Sequence, residues 1–304
     1  MEAYTDFAQV YDELMDDTPY EEWCGFLMEL FRKYGVDDIS KNDRYVINDN
    51  DVINRNLSQE RNTVLDLGCG TGTLTQMFAR KGYDMIGVDN AQEMLQIAMD
   101  KREQSGLSIL YLLQDMREFE LYGTVGAVVS VCDSLNYLLE EADIVQTFRQ
   151  VNNYLYPQGI FIFDFNTVHK YADVIGDATI AENRGDCSFI WENYYHEEQE
   201  INEYDLTVFV AERRNVSEAD RTDGDADKPD GTSAQGVLFR RFQEVHYQRG
   251  YRLEQMRGFL ERAGLDFVEA LDADTHKEVT AESERIYVVA RKGADTAANQ
   301  KVER

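Results

Sequence analysis

Cysteines and long apolar runs are scarce in this chain of 304 residues. The four cysteines, Cys24, Cys69, Cys132 and Cys187, show no Cys-x-x-Cys spacing, which argues against a zinc site or a disulfide framework. No stretch approaches the roughly 18 consecutive apolar residues of a membrane-spanning helix, and no secretory signal pattern opens the chain. We therefore expect a cytoplasmic protein with reduced thiols, no metal site and no membrane partner.

Basic residues are also scarce, because 30 lysines and arginines stand against 58 aspartates and glutamates, giving a formal net charge of −28. Such a surface repels phosphate backbones, so nucleic acid is an unlikely partner. We expect a monomer or a homodimer that acts on a small molecule. The chain has only four histidines, which leaves few candidates for a general base near neutral pH.

Strand and helix patterns alternate through the middle of the chain. Apolar residues at helical spacing predict two short helices that end at Gly35, followed by a polar connector, and together these form the segment 1–62. Within 63–177, five short apolar segments predict strands with helices or short connections between them. The predicted strands are 63–67, 84–88, 108–112, 125–131 and 160–164. This alternation predicts an α/β fold with a doubly wound parallel sheet.

The alternation stops over residues 178–248. Segments rich in aromatic and β-branched residues predict an antiparallel β insert after the fifth strand. Its predicted strands are 188–195, 204–213 and 237–247, with a polar hairpin tip at 217–235. Residues 249–293 then return to the main sheet through a helix at 253–263 and strands at 265–271 and 285–291. A polar tail, 294–304, follows.

A glycine-rich loop follows the first predicted strand, which contains Asp66. Gly68, Gly70 and Gly72 let the backbone approach a ligand closely, and the next helix directs its N-terminus to the same place. A dinucleotide-binding G-x-G-x-x-G loop would need its third glycine at Thr73, and a P-loop would need a lysine. Both alternatives are weakened, while a simple tight turn would not need so many glycines.

A carboxylate at Asp89 ends the second predicted strand. A carboxylate at this place can accept hydrogen bonds from both hydroxyls of a ribose. Both S-adenosylmethionine and NAD contain such a ribose, so Asp89 alone does not distinguish between them. Combined with the glycine loop, it favours a nucleoside-containing ligand over a simple turn.

As a set, these segments resemble the motifs of class I S-adenosylmethionine-dependent methyltransferases, in the right order over about residues 63–165. The segments that carry the resemblance are 64–75, 86–95, 114–116, 131–137 and 155–160, the last matching the family's turn before the fifth strand. The resemblance is closest to the small-molecule branch of bacterial enzymes that carry an antiparallel insert. It implies a seven-stranded Rossmann-like sheet, S-adenosyl-L-methionine as cofactor, and methyl transfer to a nitrogen or oxygen of a small molecule.

The resemblance also implies which residues bind the cofactor. These are Tyr11, Asp66, Gly68, Cys69, Gly70, Gly72, Asp89, Asn90, Met94, Asp115, Met116 and Cys132. Asp115 would bind the adenine amino group, and Tyr11 would cover the cofactor as part of an N-terminal lid. The helical spacing accounts equally well for Tyr11 as a core aromatic residue. The insert would cap the substrate or form an oligomer contact.

Candidate residues for orienting or deprotonating the acceptor are few. Asp133 and Asn136 follow the fourth strand, where a doubly wound fold places its binding crevice. His246 lies on the last strand of the insert, although a strand histidine is more often structural than catalytic. Three other functions stay open at this point: an NAD-dependent oxidoreductase, a non-catalytic binding protein with a methyltransferase-like fold, and an RNA or protein methyltransferase, which the acidic charge disfavours.

Overall fold

The computed structural model describes residue 4 and residues 7–36, 60–212 and 237–293. The predicted hairpin tip and tail, and connector residues 37–59, lie outside the described residues. The described α-helices are α1 Ala8–Leu14, α2 Tyr20–Tyr34, α3 Thr73–Arg80, α4 Gln92–Ser105, α5 Glu141–Tyr154 and α6 Leu253–Ala263. Gly35 ends α2 in the left-handed conformation, as the sequence predicted. None of these helices is long and apolar enough to cross a membrane.

Eleven strands are named in chain order among the described residues. They are β1 Thr63–Leu67, β2 Asp84–Asp89, β3 Ile109–Leu113, β4 Val125–Ser130, β5 Leu155–Asn166, β6 Thr179–Arg184, β7 Cys187–His196, β8 Ile201–Glu212, β9 Leu238–Arg249, β10 Leu265–Asp272 and β11 Arg285–Lys292. The main sheet has the order β10-β11-β5-β4-β1-β2-β3. Strands β1 to β5 are parallel to one another, while β11 runs antiparallel to both β5 and β10. The predicted doubly wound seven-stranded fold is confirmed.

Helices cover both faces of this sheet, which explains why its central strands are apolar throughout. Every residue of β1 and of β4 is buried, as expected for parallel strands between two helical layers. On one face, Phe148 of α5 and Leu260 of α6 pack on the sheet. On the other, Phe31 of α2 and Phe78 of α3 do so. Because the helices cover both faces, the site is left to the loops at the carboxyl ends of the parallel strands.

The insert is a second, four-stranded antiparallel sheet with the order β6-β7-β8-β9. Its strand β6 was not predicted, because most of its residues are exposed and it carries no buried apolar pattern. The π-helix Lys170–Ile175 between the two sheets was not predicted either. Helix α1 packs on the inner face of the insert, where Val10 contacts a cluster that includes Phe189 and Val208.

The turn predicted over residues 155–160 is wrong in one respect, since these residues belong to β5 itself. Val125 pairs with Leu155 and Ala127 pairs with Ile160, so the extra residues of β5 form a bulge. Gln158 adopts a positive φ of 68° within it. A bulge of this kind bends the strand without ending its pairing, which is why the sequence resembles a turn.

Candidate active site

The glycine loop after β1 is held against the end of β2 by its own backbone. The amides of Gly68 and Cys69 donate to the carbonyl oxygen of Val88 at 2.8 and 3.0 Å. Gly68 has a φ of +80°, and a Cβ added there would lie 2.7 Å from Oγ of Ser134. Around Gly70, by contrast, an added Cβ would meet nothing within 4 Å. Gly68 is therefore required by packing, while Gly70 faces open space where a ligand can lie.

Gly72 serves the packing of helices rather than the cavity. It precedes α3 with a φ of +72°, and an added Cβ would overlap the Tyr111 hydroxyl and approach Cβ of Ala98 to 3.0 Å. It does not line the cavity beside the loop. This glycine lets α3 and α4 come close to the sheet, which is a different role from the cofactor contact expected of it.

Asp89 is oriented by two backbone amides at the end of β2. Gly70 N–H donates to Oδ2 and Ala91 N–H donates to Oδ1, each at 2.8 Å. Burial raises the pKa of Asp89, and these amide hydrogen bonds oppose the shift. Each carboxylate oxygen keeps further acceptor capacity. The side chain is thus fixed in place with acceptors available for the two hydroxyls of a ribose.

Asp66 lies deeper, on β1, and is only 3% exposed. Thr75 donates its hydroxyl to Oδ2 of Asp66 at 2.5 Å. Burial raises the pKa of Asp66 to about 7, helped by the negative charge of Asp89 and opposed by the Thr75 hydrogen bond. A buried carboxyl group that lines the cavity and titrates near neutral pH can bind a cation when ionised.

These groups line a cavity of about 570 Å³ at the carboxyl ends of the parallel strands. All the expected cofactor residues except Gly72 line it. Its ionisable carboxyl groups come from Asp66, Asp89, Glu93, Asp115 and Asp143. Among the described residues, no lysine lines it, and its one arginine is committed to two of these carboxylates. Such a wall suits a cofactor with sulfonium and ammonium groups and opposes the pyrophosphate of NAD.

Asp115 lines the same cavity from the loop after β3. Arg117 donates its Nη2 to Oδ2 of Asp115 at 2.6 Å and its Nη1 to Oδ2 of Asp143 at 3.0 Å. The hydrogen bonds from Arg117 lower the pKa of Asp115. Asp115 is therefore a charged acceptor in a fixed orientation, as a contact to an adenine amino group requires.

The two N-terminal helices each contribute a tyrosine to the cavity wall. Tyr11 of α1 and Tyr20 of α2 line it. Asp12, also on α1, accepts a hydrogen bond from the Thr71 hydroxyl at 2.7 Å and forms an ion pair with Lys101 of α4. These contacts tie α1 directly to the glycine loop. Tyr11 therefore lies where the N-terminal lid was expected.

Asn136 lies behind the cavity and does not line it. Its Nδ2 donates to the carbonyl oxygens of Asn166 and Arg249 at 3.0 and 2.6 Å, and its Oδ1 accepts from the Asn166 amide at 2.9 Å. The side chain is fully buried, so these backbone groups use most of its hydrogen-bonding capacity. The geometry gives Asn136 the role of joining β5 to β9 rather than that of an acceptor contact.

Asp133 also lies outside the cavity lining. It has a positive φ of 52°, and its amide donates to Oδ1 of Asp164 at 2.8 Å. Gln248 Nε2 donates to Oδ2 of Asp133 at 2.5 Å. Burial raises the pKa of Asp133, while the charges of Lys170 and Arg285 lower it. Asp133 thus links the segment after β4 to the insert.

His246 is 1% exposed and reaches the cavity only through another residue. Its Nδ1 lies 3.1 Å from the hydroxyl oxygen of Tyr137, and Tyr137 lines the cavity. Its Nε2 lies 3.3 Å from Oε2 of Glu244. The sequence analysis did not predict Tyr137 or Glu244 as site residues. Tyr137 could have been found, because it ends the segment 131–137 that resembles a methyltransferase motif. Tyr4, which lines the cavity, was not predicted either.

Comparison with known proteins agrees with this site. A family model described as "Methyltransferase domain" matches residues 64–159. The protein named "Putative methyltransferase YqeM" of Bacillus subtilis is 32% identical over 290 residues, covering 95% of this chain and 97% of that protein. A second protein with the name "Putative methyltransferase", from Geobacillus sp., is 32% identical over 291 residues, covering 95% of this chain and 100% of that protein.

A solved structure supports the fold over the same length. The S-adenosylmethionine-dependent methyltransferase from Clostridium acetobutylicum superimposes with a TM-score of 0.74 at 24% identity, covering 96% of this chain and 100% of that one. The fold, the acidic cavity and the relatives that match along nearly the whole chain all indicate a methyltransferase. The chain belongs to the YqeM family and is a class I S-adenosylmethionine-dependent methyltransferase.

Proposed function

We propose that this methyltransferase acts on a nitrogen or oxygen atom of a small molecule. The observation that carries the proposal is the closure of the cavity by aromatic side chains beside the segment that follows β4. Tyr4, Tyr11, Tyr20 and Tyr137 line this end together with Cys132. A small molecule can be enclosed among these rings, whereas a folded protein or a nucleic acid helix is too large for this enclosure.

The chain's own groups account for the binding of donor and acceptor. Asp89 presents acceptors to ribose hydroxyls, and Asp66 presents a buried carboxylate to the ammonium of the methionine moiety. S-adenosylmethionine, when bound, supplies a methyl group already activated on a sulfonium. What the protein must add is alignment and exclusion of water, which together can lower a barrier by roughly 7–11 kcal/mol in well-oriented systems. The tyrosines of the cavity wall, together with helix α1 and its Asp12 contacts to Thr71 and Lys101, exclude water.

The electrostatic character of the chain supports the same class of acceptor. A formal net charge of −28 disfavours association with a polyanion, because long-range repulsion slows the encounter. The carboxyl groups of the cavity wall add to this repulsion locally. A neutral or cationic small molecule has no such barrier.

The test separates acceptor classes directly. Purified protein is incubated with S-adenosylmethionine carrying a tritiated methyl group and with the low-molecular-mass, RNA and protein fractions of a bacterial extract, each in turn. We expect label in a low-molecular-mass product, and none with the Asp89→Ala variant. Label in the RNA or protein fraction would contradict the proposal. Binding of S-adenosylmethionine with no transfer to any fraction would favour the non-catalytic binding protein.

A further inference from the structure

A cluster of polar aromatic side chains extends from the acceptor end of the cavity wall into the insert. Tyr137 comes from the 3₁₀-helix after β4, Tyr204 from β8 and His246 from β9, and Tyr4 completes the cluster. The rings of Tyr204 and His246 stack with centroids 4.8 Å apart and an interplanar angle of 5°. Glu244 contributes a carboxylate from the same face of β9. Five polar side chains thus lie together: Tyr204, Glu244 and His246 are buried, while Tyr4 and Tyr137 are half-buried and line the cavity.

The hydrogen-bond distances indicate which group donates and which accepts within this cluster. The Tyr137 hydroxyl oxygen lies 2.7 Å from that of Tyr4, 2.6 Å from that of Tyr204 and 3.1 Å from Nδ1 of His246. A hydroxyl group donates one hydrogen bond and accepts two. Glu244 Oε2 lies 3.3 Å from Nε2 without hydrogen-bond geometry, and its negative charge favours the tautomer that carries the proton on Nε2. Nδ1 is then an acceptor, so Tyr137 donates to His246 and accepts from the two other tyrosines.

The N-terminal segment occupies the outer end of this arrangement. Glu244 accepts the amide of Tyr4 on Oε2 at 2.7 Å and the amide of Phe7 on Oε1 at 3.0 Å. These contacts hold the Tyr4 hydroxyl against Tyr137, at the cavity wall. A hydroxyl group at the position of the Tyr4 hydroxyl therefore donates a hydrogen bond to Tyr137, which in turn contacts His246 beside Glu244.

We propose that the methyl acceptor is a hydroxyl compound whose O–H takes the place of the Tyr4 hydroxyl, and that Tyr137 accepts its proton while passing its own proton to His246. The inference rests on the proposed small-molecule function and narrows it. Tyr137 touches the acceptor, and His246 and Glu244 are positioning residues that act through Tyr137.

The chemistry explains why this arrangement suits a hydroxyl acceptor. A neutral amine attacks with its lone pair and can lose its proton afterwards, whereas an alcohol or phenol oxygen is a poor nucleophile until its proton leaves. Burial raises the pKa of Tyr137 well above its usual value. Tyr137 is therefore protonated at neutral pH, and it can accept a proton only by handing one on. His246 Nδ1 is placed to receive it.

The proposed step balances in atoms and electrons. The acceptor oxygen forms a bond to the methyl carbon while the carbon–sulfur bond breaks, and the electron pair of that bond remains on sulfur. The acceptor proton moves to the Tyr137 oxygen, and the Tyr137 proton moves to Nδ1 of His246. The resulting imidazolium is stabilised by the Glu244 carboxylate beside Nε2. No oxidant, reductant or metal is needed.

The variants His246→Asn and Tyr137→Phe test this relay. An asparagine side chain can still accept the Tyr137 hydrogen bond through its amide oxygen, but it cannot take a proton. If His246 only supported packing, His246→Asn would keep most of the activity. We expect instead that both variants lose roughly 10²–10⁴-fold in methyl-transfer rate, with an unchanged Kd for S-adenosylmethionine by calorimetry. His196→Asn and Tyr247→Phe, on exposed positions of the insert, are matched controls and should keep the wild-type rate.

Two readouts do not depend on rate. Nitrogen-15 NMR of the four histidines, with the His246 signals identified by their loss in His246→Asn, should show the neutral tautomer with its proton on Nε2. The labelled product of the low-molecular-mass fraction should be a methyl ether. A methylamine product, an Nδ1–H tautomer, or full activity in His246→Asn would each overturn the relay alone. Failure of the wild-type protein to label any small molecule would overturn the proposed function as well.

Discussion

Protonation of Asp66 should govern how cofactor binding depends on pH. This carboxyl group is buried, and burial raises its pKa to about 7, whereas an aspartate in an unfolded chain titrates near about 3.9. In the proposed site it binds the ammonium of the methionine moiety. Because an ammonium pairs with a carboxylate and not with a neutral carboxylic acid, protons compete with the cofactor. Affinity for S-adenosylmethionine should therefore fall as the pH falls below about 7.

The size of the effect follows from the fraction of Asp66 that is charged. A pKa of about 7 leaves about three quarters of the groups ionised at pH 7.5 and about one tenth at pH 6. The Kd should rise about eightfold between these values, or about 1.2 kcal/mol. The contribution of Asp66 to the stability of the free protein depends on pH in the opposite direction, because it grows as the pH falls. The contribution of protonated Asp66 is present below about pH 4 and is lost as the pH rises through about 7.

Isothermal titration calorimetry with S-adenosylmethionine over this pH range measures the effect. Asp66→Asn is the matched control, since it keeps the shape of the side chain and cannot ionise. It should bind more weakly than wild type at pH 7.5 and show a nearly flat pH profile. A flat profile in the wild-type protein, or an equally steep one in Asp66→Asn, would refute the assignment of Asp66 to the ammonium.

Three further substitutions test other parts of the site. Asp89→Ala removes acceptors for two ribose hydroxyls, each worth about 1.5–3 kcal/mol as a charged hydrogen bond. Calorimetry should show a Kd for S-adenosylmethionine raised roughly 10²–10⁴-fold with the circular dichroism spectrum retained, and an unchanged Kd would contradict the ribose assignment. Gly68→Ala places a methyl group 2.7 Å from Oγ of Ser134 at a φ of +80°, so urea unfolding should show a loss of about 1–2 kcal/mol. Asn136→Ala leaves the Asn166 amide without its partner and should cost about 2–4 kcal/mol in the same assay; wild-type stability with lost methyl transfer would restore Asn136 as a catalytic candidate.

The fold was predictable where burial imposes a pattern on the sequence. Parallel strands covered on both faces are continuous apolar runs, so β1 was predicted to the residue, and α6 was predicted equally well from its apolar stripe and the glycine that follows it. Strand β6 lacks such a pattern, because it lies at the exposed edge of the insert and is held by backbone pairing with β7. The bulge in β5 was mistaken for a turn because it contains Pro157 and Gly159, residue types that are typical of turns.

The cofactor side of the site was also predictable, because each of its contacts comes from a short segment of sequence. Backbone amides of the loop and a carboxylate at the end of the next strand meet whenever two adjacent parallel strands pair. Gly70 and Asp89 illustrate this, since their hydrogen bond joins the loop after β1 to the last residue of β2, 19 positions apart. The local motif therefore fixes the geometry of the cavity wall that is proposed to bind the cofactor.

The acceptor side depends on contacts between segments that are far apart in the sequence. Tyr137 meets His246 across 109 positions, and Tyr4 meets Glu244 across 240. Which side chains of β9 face Tyr137 is set by its pairing with β8, where Tyr204 lies opposite His246. A register shift of one residue would turn His246 outward and Tyr247 inward, and both residues are aromatic, so the sequence pattern alone does not choose between them. The groups proposed to select the acceptor are therefore fixed by tertiary register, which is why the motifs identify the methyl donor and leave the acceptor open.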